Sequence, residues 1–208
     1  MKRISLISAV LLAALSAGWV GCEAPAPKTD PGSIGGTIAG LDAGTEVVLR
    51  SFNNGNLVNV ASTTLDSAGG FTLTPAKPLT RGYHQLLAGR VHPLVLITDQ
   101  TEGVTVEATA RAGENYMVDA SIAGSPESVT IAEYYGAIMP LQQRIKQAER
   151  DTRTSSGDKR AAAKEAVTAK VDSINALSLA FAEKHSGTLA ALSALESLDA
   201  GAHKDLFK

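Results

Sequence analysis

The sequence predicts an α+β fold in which the strands come first and the helices second. Three observations predict it. Residues 33–125 alternate apolar and polar with a period of two, residues 126–208 repeat at three and four, and the change falls at a helix-start signal. The β half is expected to form an antiparallel sandwich or partly open barrel of about eight strands. The α half is expected to form a helical hairpin and a short C-terminal helix.

In the β half, "GVTVEATA" puts Val104, Val106, Ala108 and Ala110 on one side and Thr105, Glu107 and Thr109 on the other. "YMVDASIAG" sets Tyr116, Val118, Ala120 and Ile122 against Met117, Asp119 and Ser121. Strands with one buried face read this way. "LVLIT" (Leu94–Thr98) is apolar on both sides and reads as a central strand. "TEVVLRSF" and "LVNVASTTL" are rich in β-branched residues. Turn residues at Asn53–Gly55, Asp66–Gly70, Gly82 and Gly113 separate the runs. Short turns imply antiparallel neighbours.

"AGSPES" (Ala123–Ser128) marks the change of period. Ser125 suits a helix cap, Pro126 the first helical position, and Glu127 the positive end of the dipole. Ile131, Tyr135, Ile138, Gln142 and Ile145 then follow at helical spacing, and Pro140 is expected to kink or interrupt the helix. After a break at Thr154–Asp158, Val167, Val171, Ile174, Ser178 and Phe181 form a second stripe, with Leu177 alongside. A third helix runs from about Thr188 to Leu198.

The chain opens with Lys2 and Arg3, an apolar run from Ile4 to Ala17, and small residues before Cys22, its single cysteine. This is the layout of a secretory signal. The run is shorter than the ~20 residues that span a bilayer. "WVGC" resembles a bacterial lipobox, with Gly21 before the cysteine and Trp19 where Leu is usual. The resemblance implies cleavage after residue 21 and lipid attachment at Cys22, while plain secretion and a retained anchor are the alternatives. Residues 22–32 hold three prolines and no large apolar side chain, and read as a tether. The organisation is therefore a leader at 1–21, a tether at 22–32, a β-domain at 33–125 and helices at 126–208. The expected location is a bacterial cell envelope, facing the periplasm or the surface, with the lipid bilayer as partner.

Charge and cysteine count remove several classes. Without Lys2 and Arg3, 17 basic residues face 21 acidic ones, a net −4 that does not suggest nucleic-acid binding. One cysteine makes no intramolecular disulfide, no C-x-x-C and no cysteine-based zinc site. His84 and His92, with Asp99, are metal-ligand candidates if a hairpin brings them together. Otherwise they are edge or surface histidines. His185 and His203 flank the last helix, and His185 suits a helix C-terminus. Ser125 lacks a G-x-S-x-G setting and reads as a cap rather than a nucleophile. Asp66–Gly70 has no calcium-loop spacing and "GSIGG" no phosphate-loop Lys. Arg144, Lys146, Arg150, Arg153, Lys159, Arg160 and Lys164 alternate with Glu149, Asp151, Asp158 and Glu165. They read as a solvated hairpin tip, the alternative being contact with anionic headgroups or a partner. Tyr134 and Tyr135 face different directions on one helix, with one packed on the β-domain, and are ligand-cleft candidates as a pair. No catalytic set, cofactor or metal is expected. Sheet edges offer a further route to a partner.

The order of features is also familiar. It runs "GTIAGL", "VVLRS", "STTLDSAGGFTLT", "GYHQLLAG", "GVTVEATA", "IAGSPESVTIAEYY", a helical hairpin and "FAEKHSGTLAALSALESL". This resembles the N-terminal domain of unknown function that precedes the thioredoxin-like domain in bacterial envelope thiol–disulfide oxidoreductases. The matching motifs are Asp66 with Gly69, Gly70 and Phe71, Gly124 with Ser125, and His185 with Ser186. The redox residues of that family are not carried over, since this chain has no C-x-x-C. What the resemblance implies is a lipoprotein binding module, or alternatively a detached module working with a separate thioredoxin-like partner.

Overall fold

A computed structural model describes residues 29–53, 55–111 and 116–198. Cys22, the leader and His203 lie outside the described residues. The elements in chain order are β1 (Ile34–Ala39), β2 (Glu46–Asn53), β3 (Asn56–Thr64), β4 (Gly70–Leu73), β5 (Gly82–Ala88), β6 (Leu94–Thr98), β7 (Val104–Ala110), β8 (Met117–Ala123), α1 (Pro126–Thr154), α2 (Gly157–Lys184) and α3 (Leu189–Glu196). The class is α+β, strands before helices, as the change of period indicates.

The strands form two four-stranded sheets, ordered β4-β1-β7-β8 and β3-β2-β5-β6. Between them lie Ile34, Ile38, Val47, Leu49, Leu73, Leu86, Leu96, Val104 and Val106, all 1% exposed or less. Full burial of each such aliphatic side chain contributes about 1.5–3 kcal/mol. Ordered contacts begin ahead of residue 33. The Thr29 hydroxyl lies 2.8 Å from that of Thr105, and the Gly32 N–H donates to Glu102 O at 2.8 Å.

Four expectations need correcting. The first sheet is mixed, because β1 pairs with β7 in parallel, Gly36 opposite Val106. Short turns constrain only consecutive strands, and β1 and β7 are far apart in sequence. β6 is an edge strand rather than a central one. Its two apolar faces have separate causes: Leu94 and Leu96 face the sandwich core, and Ile97 and Val95 pack under the helices.

The simple alternation along β8 fails at Asp119. There the register against β7 shifts and φ is +50°, an unusual value for a residue with a side chain. The extra residue lets Met117 and Ile122, five apart, both reach the core. Pro140, finally, neither interrupts nor ends α1, which runs on to Thr154. Packing on both flanks outweighs the local penalty. Ile138 is 1% exposed on one side of the proline and Ala148 8% on the other.

α1 and α2 form the expected hairpin across Ser155 and Ser156. Its contact uses small groups: Ile174, Ser178 and Ala182 are buried, whereas Val171 and Leu177 of the expected stripe are exposed. Tyr134, Ile131 and Ile138 join Ala182, Ala190 and Ala194 in a second core under β6.

At Gly36 β1 lies tight against its parallel neighbour β7. The glycine's φ is +142°, and a Cβ there would sit 1.8 Å from Val106 O. Gly36→Ala should lower unfolding free energy by about 3 kcal/mol in urea titration, the upper range for overpacking. An unchanged midpoint would contradict the parallel β1–β7 register.

Candidate functional site

The two sheets present neighbouring edges, β6 and β8, and α1 lies along both. At one end the edges meet in a single parallel bridge, His92 to Tyr116. At the other end the start of α1 closes the edge of β6. The Ser128 hydroxyl accepts from the Ile97 N–H at 2.9 Å. The Ser125 and Ser128 hydroxyls lie 2.7 and 2.9 Å from Ile97 O, to which they can donate. Ser125 is also the N-cap of α1, accepting from the Ser128 N–H at 3.4 Å.

Between the bridge and this closure the edges separate over a cleft of about 430 Å³. Leu94 and Val95 line it from β6, and Met117, Val118 and Ala120 from β8. Ala132, Tyr135, Gly136, Met139 and Pro140 form the α1 wall. The mouth carries Arg111, paired with Asp119 through its guanidinium. The lining is thus mostly apolar with a few polar groups, the usual character of a small ligand site. Burial pushes the Tyr135 hydroxyl above its ordinary range, with a hydrogen bond to Ser193 opposing. It stays a protonated hydroxyl at neutral pH. A second hollow of about 460 Å³ lies between the end of α2 and α3, around Leu189, Leu192 and Leu195.

The residues singled out from the sequence do not converge. His84 is 2% exposed inside the β-domain, not on an edge or surface. Its Nε2 donates to Thr98 O at 3.2 Å, and its Nδ1 lies 2.6 Å from the Ser51 hydroxyl, which donates to it. Carbonyl oxygens only accept, so the proton sits on Nε2. His92 is exposed beside the cleft. Asp99 closes its own turn, accepting from the Thr101 N–H and hydroxyl. These bonds hold its carboxyl below the usual range. Among the described residues no three His, Cys, Asp or Glu side chains are placed to hold a metal.

His185 caps the end of α2 and stacks on Phe181, ring centroids 4.4 Å apart. Asp66 accepts from the Ala68 and Gly70 N–H groups at 2.7 and 2.8 Å, a local turn. The basic and acidic residues of the hairpin tip are all exposed and interleaved. Of the tyrosine pair, Tyr134 is buried. Its hydroxyl lies 2.8 Å from that of Ser178 and 2.9 Å from that of Ser197, and Tyr135 alone lines the cleft. Val95, Gly136 and Met139 were not singled out. The available signal was Gly136 and Pro140, two poor helix formers four residues apart in one helical run.

No helix among the described residues is long and apolar enough to cross a membrane. No protein-family model matches the chain, and no curated protein matches it.

Burial holds the His84 imidazole below its ordinary value, 6.5. From about 6.5 down to the folded value, the unfolded chain therefore binds more protons than the folded one. The contribution is complete above about 6.5 and is lost as pH falls below it. Urea midpoints at about pH 7.5 and about pH 5.5 should fall with acidification, and His84→Gln should flatten the fall. An equal pH dependence in the variant would contradict the assignment.

Proposed function

We propose that this chain is a membrane-anchored, non-catalytic lipoprotein of a bacterial envelope, and that the β6–β8–α1 cleft is its binding site. The observation that carries the binding role is the cleft itself, apolar walls with a paired charge at the mouth. The anchor rests on the lipobox-like "WVGC", the leader before it and the proline-rich run after it. The non-catalytic reading is supported by what the chemically suggestive residues do. Both nitrogens of His84 are engaged inside the β-domain, Ser125 caps a helix and clamps a strand, and His185 ends a helix.

A second reading keeps the fold and changes the partner. The chain would be the detached N-terminal module of a thioredoxin-family thiol–disulfide oxidoreductase, working with a separate redox protein. The observation favouring it is that Asp66–Gly70, Gly124–Ser125 and His185–Ser186 sit at three joints of the fold, as elements of a shared scaffold would.

Metabolic labelling with palmitate should mark the unmutated protein in the membrane fraction and leave Cys22→Ala unlabelled. Absence of label on the unmutated protein would overturn the anchor. Cross-linking in the same fraction separates the two readings, since a co-purifying thioredoxin-like protein selects the second.

A further inference from the structure

We propose that the cleft takes an extended, uncharged apolar peptide segment, which pairs by its backbone with the open edge of β6 at Val95. This inference rests on the binding-site reading above and names the ligand class.

The edge of β6 is the first observation. In a strand, residues two apart direct their N–H and C=O to the same side. Ile97 directs both groups to Ser125 and Ser128, so Val95 directs both groups to that same outer edge. Every residue of β6 has a register partner on β5, Val95 lying opposite Gln85 and Ile97 opposite Tyr83, so it is the alternation set by Ile97 that assigns the outward groups. The clamp of α1 stops at Ile97. The outward N–H and C=O of Val95 have no partner among the described residues, and Val95 lines the cleft. A donor and an acceptor on one strand residue match the donor and acceptor of another extended chain.

The opposite wall is the second observation. Pro140 has no N–H, so the carbonyl four residues back, Gly136, lacks its ordinary helical donor. Both residues line the cleft. A Cβ built on Gly136 meets nothing within 4 Å, so the missing side chain leaves room rather than relieving a clash. Gly within a helix is otherwise costly relative to Ala.

Side-chain chemistry selects the rest of the ligand. Val118, Ala120 and Ala132 are apolar, and Met139 adapts to varied shapes. The Arg111 guanidinium is already neutralised by Asp119. A carboxylate-headed lipid would have to compete with Asp119 for that cation, and its acyl chain would leave the Val95 groups unmet. An uncharged peptide backbone with apolar side chains meets both the walls and the edge.

The test uses the purified chain, the neutral dye N-phenyl-1-naphthylamine and the capped peptide acetyl-Thr-Leu-Val-Leu-Thr-amide. The dye should bind, the peptide should displace it, and the Val95 amide resonance should shift. N-methylation of the peptide at the paired residue should weaken displacement about tenfold, the loss of one strand hydrogen bond. Gly136→Leu should block dye and peptide together. The circular dichroism and urea midpoint of Gly136→Leu should match those of the unmutated chain, so that lost binding reports a filled cleft rather than lost folding. Equal displacement by every N-methylated peptide would overturn strand pairing while leaving an apolar binding site. Tighter displacement by dodecanol than by the peptide would assign the cleft to acyl chains instead. Failure of the dye to bind the unmutated chain would remove the binding-site reading and this inference with it.

Discussion

The structure depends on how one residue at a sheet edge is satisfied. Ile97 is 1% exposed on an edge strand, where its N–H and C=O have no neighbouring strand. The hydroxyls of Ser128 and Ser125 take that place. Each such bond contributes about 0.5–1.5 kcal/mol net, but leaving a buried donor unmet costs about 1–3 kcal/mol. The sheet edge and the helix start therefore complete each other. Without α1 the edge is open, and without the edge Ser125 and Ser128 lose the groups that orient the helix.

The helical layer follows from that attachment. Glu127, in the first turn of α1, pairs with Arg81 at 2.8 Å and lies 3.4 Å from the Leu189 N–H, at the start of α3. Tyr83 of β5 donates to Leu189 O. Two turns further along, Tyr134 meets the hydroxyls of Ser178 and Ser197, which lie 2.9 Å from each other. Three hydroxyls from α1, α2 and the end of α3 thus satisfy one another within an otherwise apolar contact. A half-satisfied group there would cost more than an apolar replacement, so the network fixes one arrangement of the three helices. The same attachment leaves the cleft, because it holds α1 over β6 and β8 without filling the space between them.

How much of this was legible in the sequence varies with how local its cause is. β7 is legible on its inner face, where Val104, Val106, Ala108 and Ala110 all lie buried, but not on the other, where Thr105 is buried as well. The cap at Ser125 and the break near Ser156 were legible because caps and turns are set by neighbouring residues. β8 was legible only in part, because the extra residue at Asp119 reverses the facing of everything beyond it. The edge position of β6 is not legible, because burial by a sheet and burial by a helix leave the same apolar pattern. The second role of Ser125, and the cleft itself, arise from contacts between distant segments. Gly136 and Pro140 were visible as anomalies in a helix, but what they face was not. Binding is thus proposed where local propensity and the final structure disagree.

Residue-resolved amide hydrogen exchange on the folded chain, with and without Ser128→Ala, tests the clamp most directly. The account predicts slow exchange at Ile97 despite its edge position and fast exchange at Val95, two residues away on the same edge. In the variant, Ile97 should lose protection while the β5-paired amides of Leu94 and Leu96 keep theirs. Equal protection at Val95 and Ile97, or an Ile97 amide unchanged by the loss of the Ser128 hydroxyl, would contradict it.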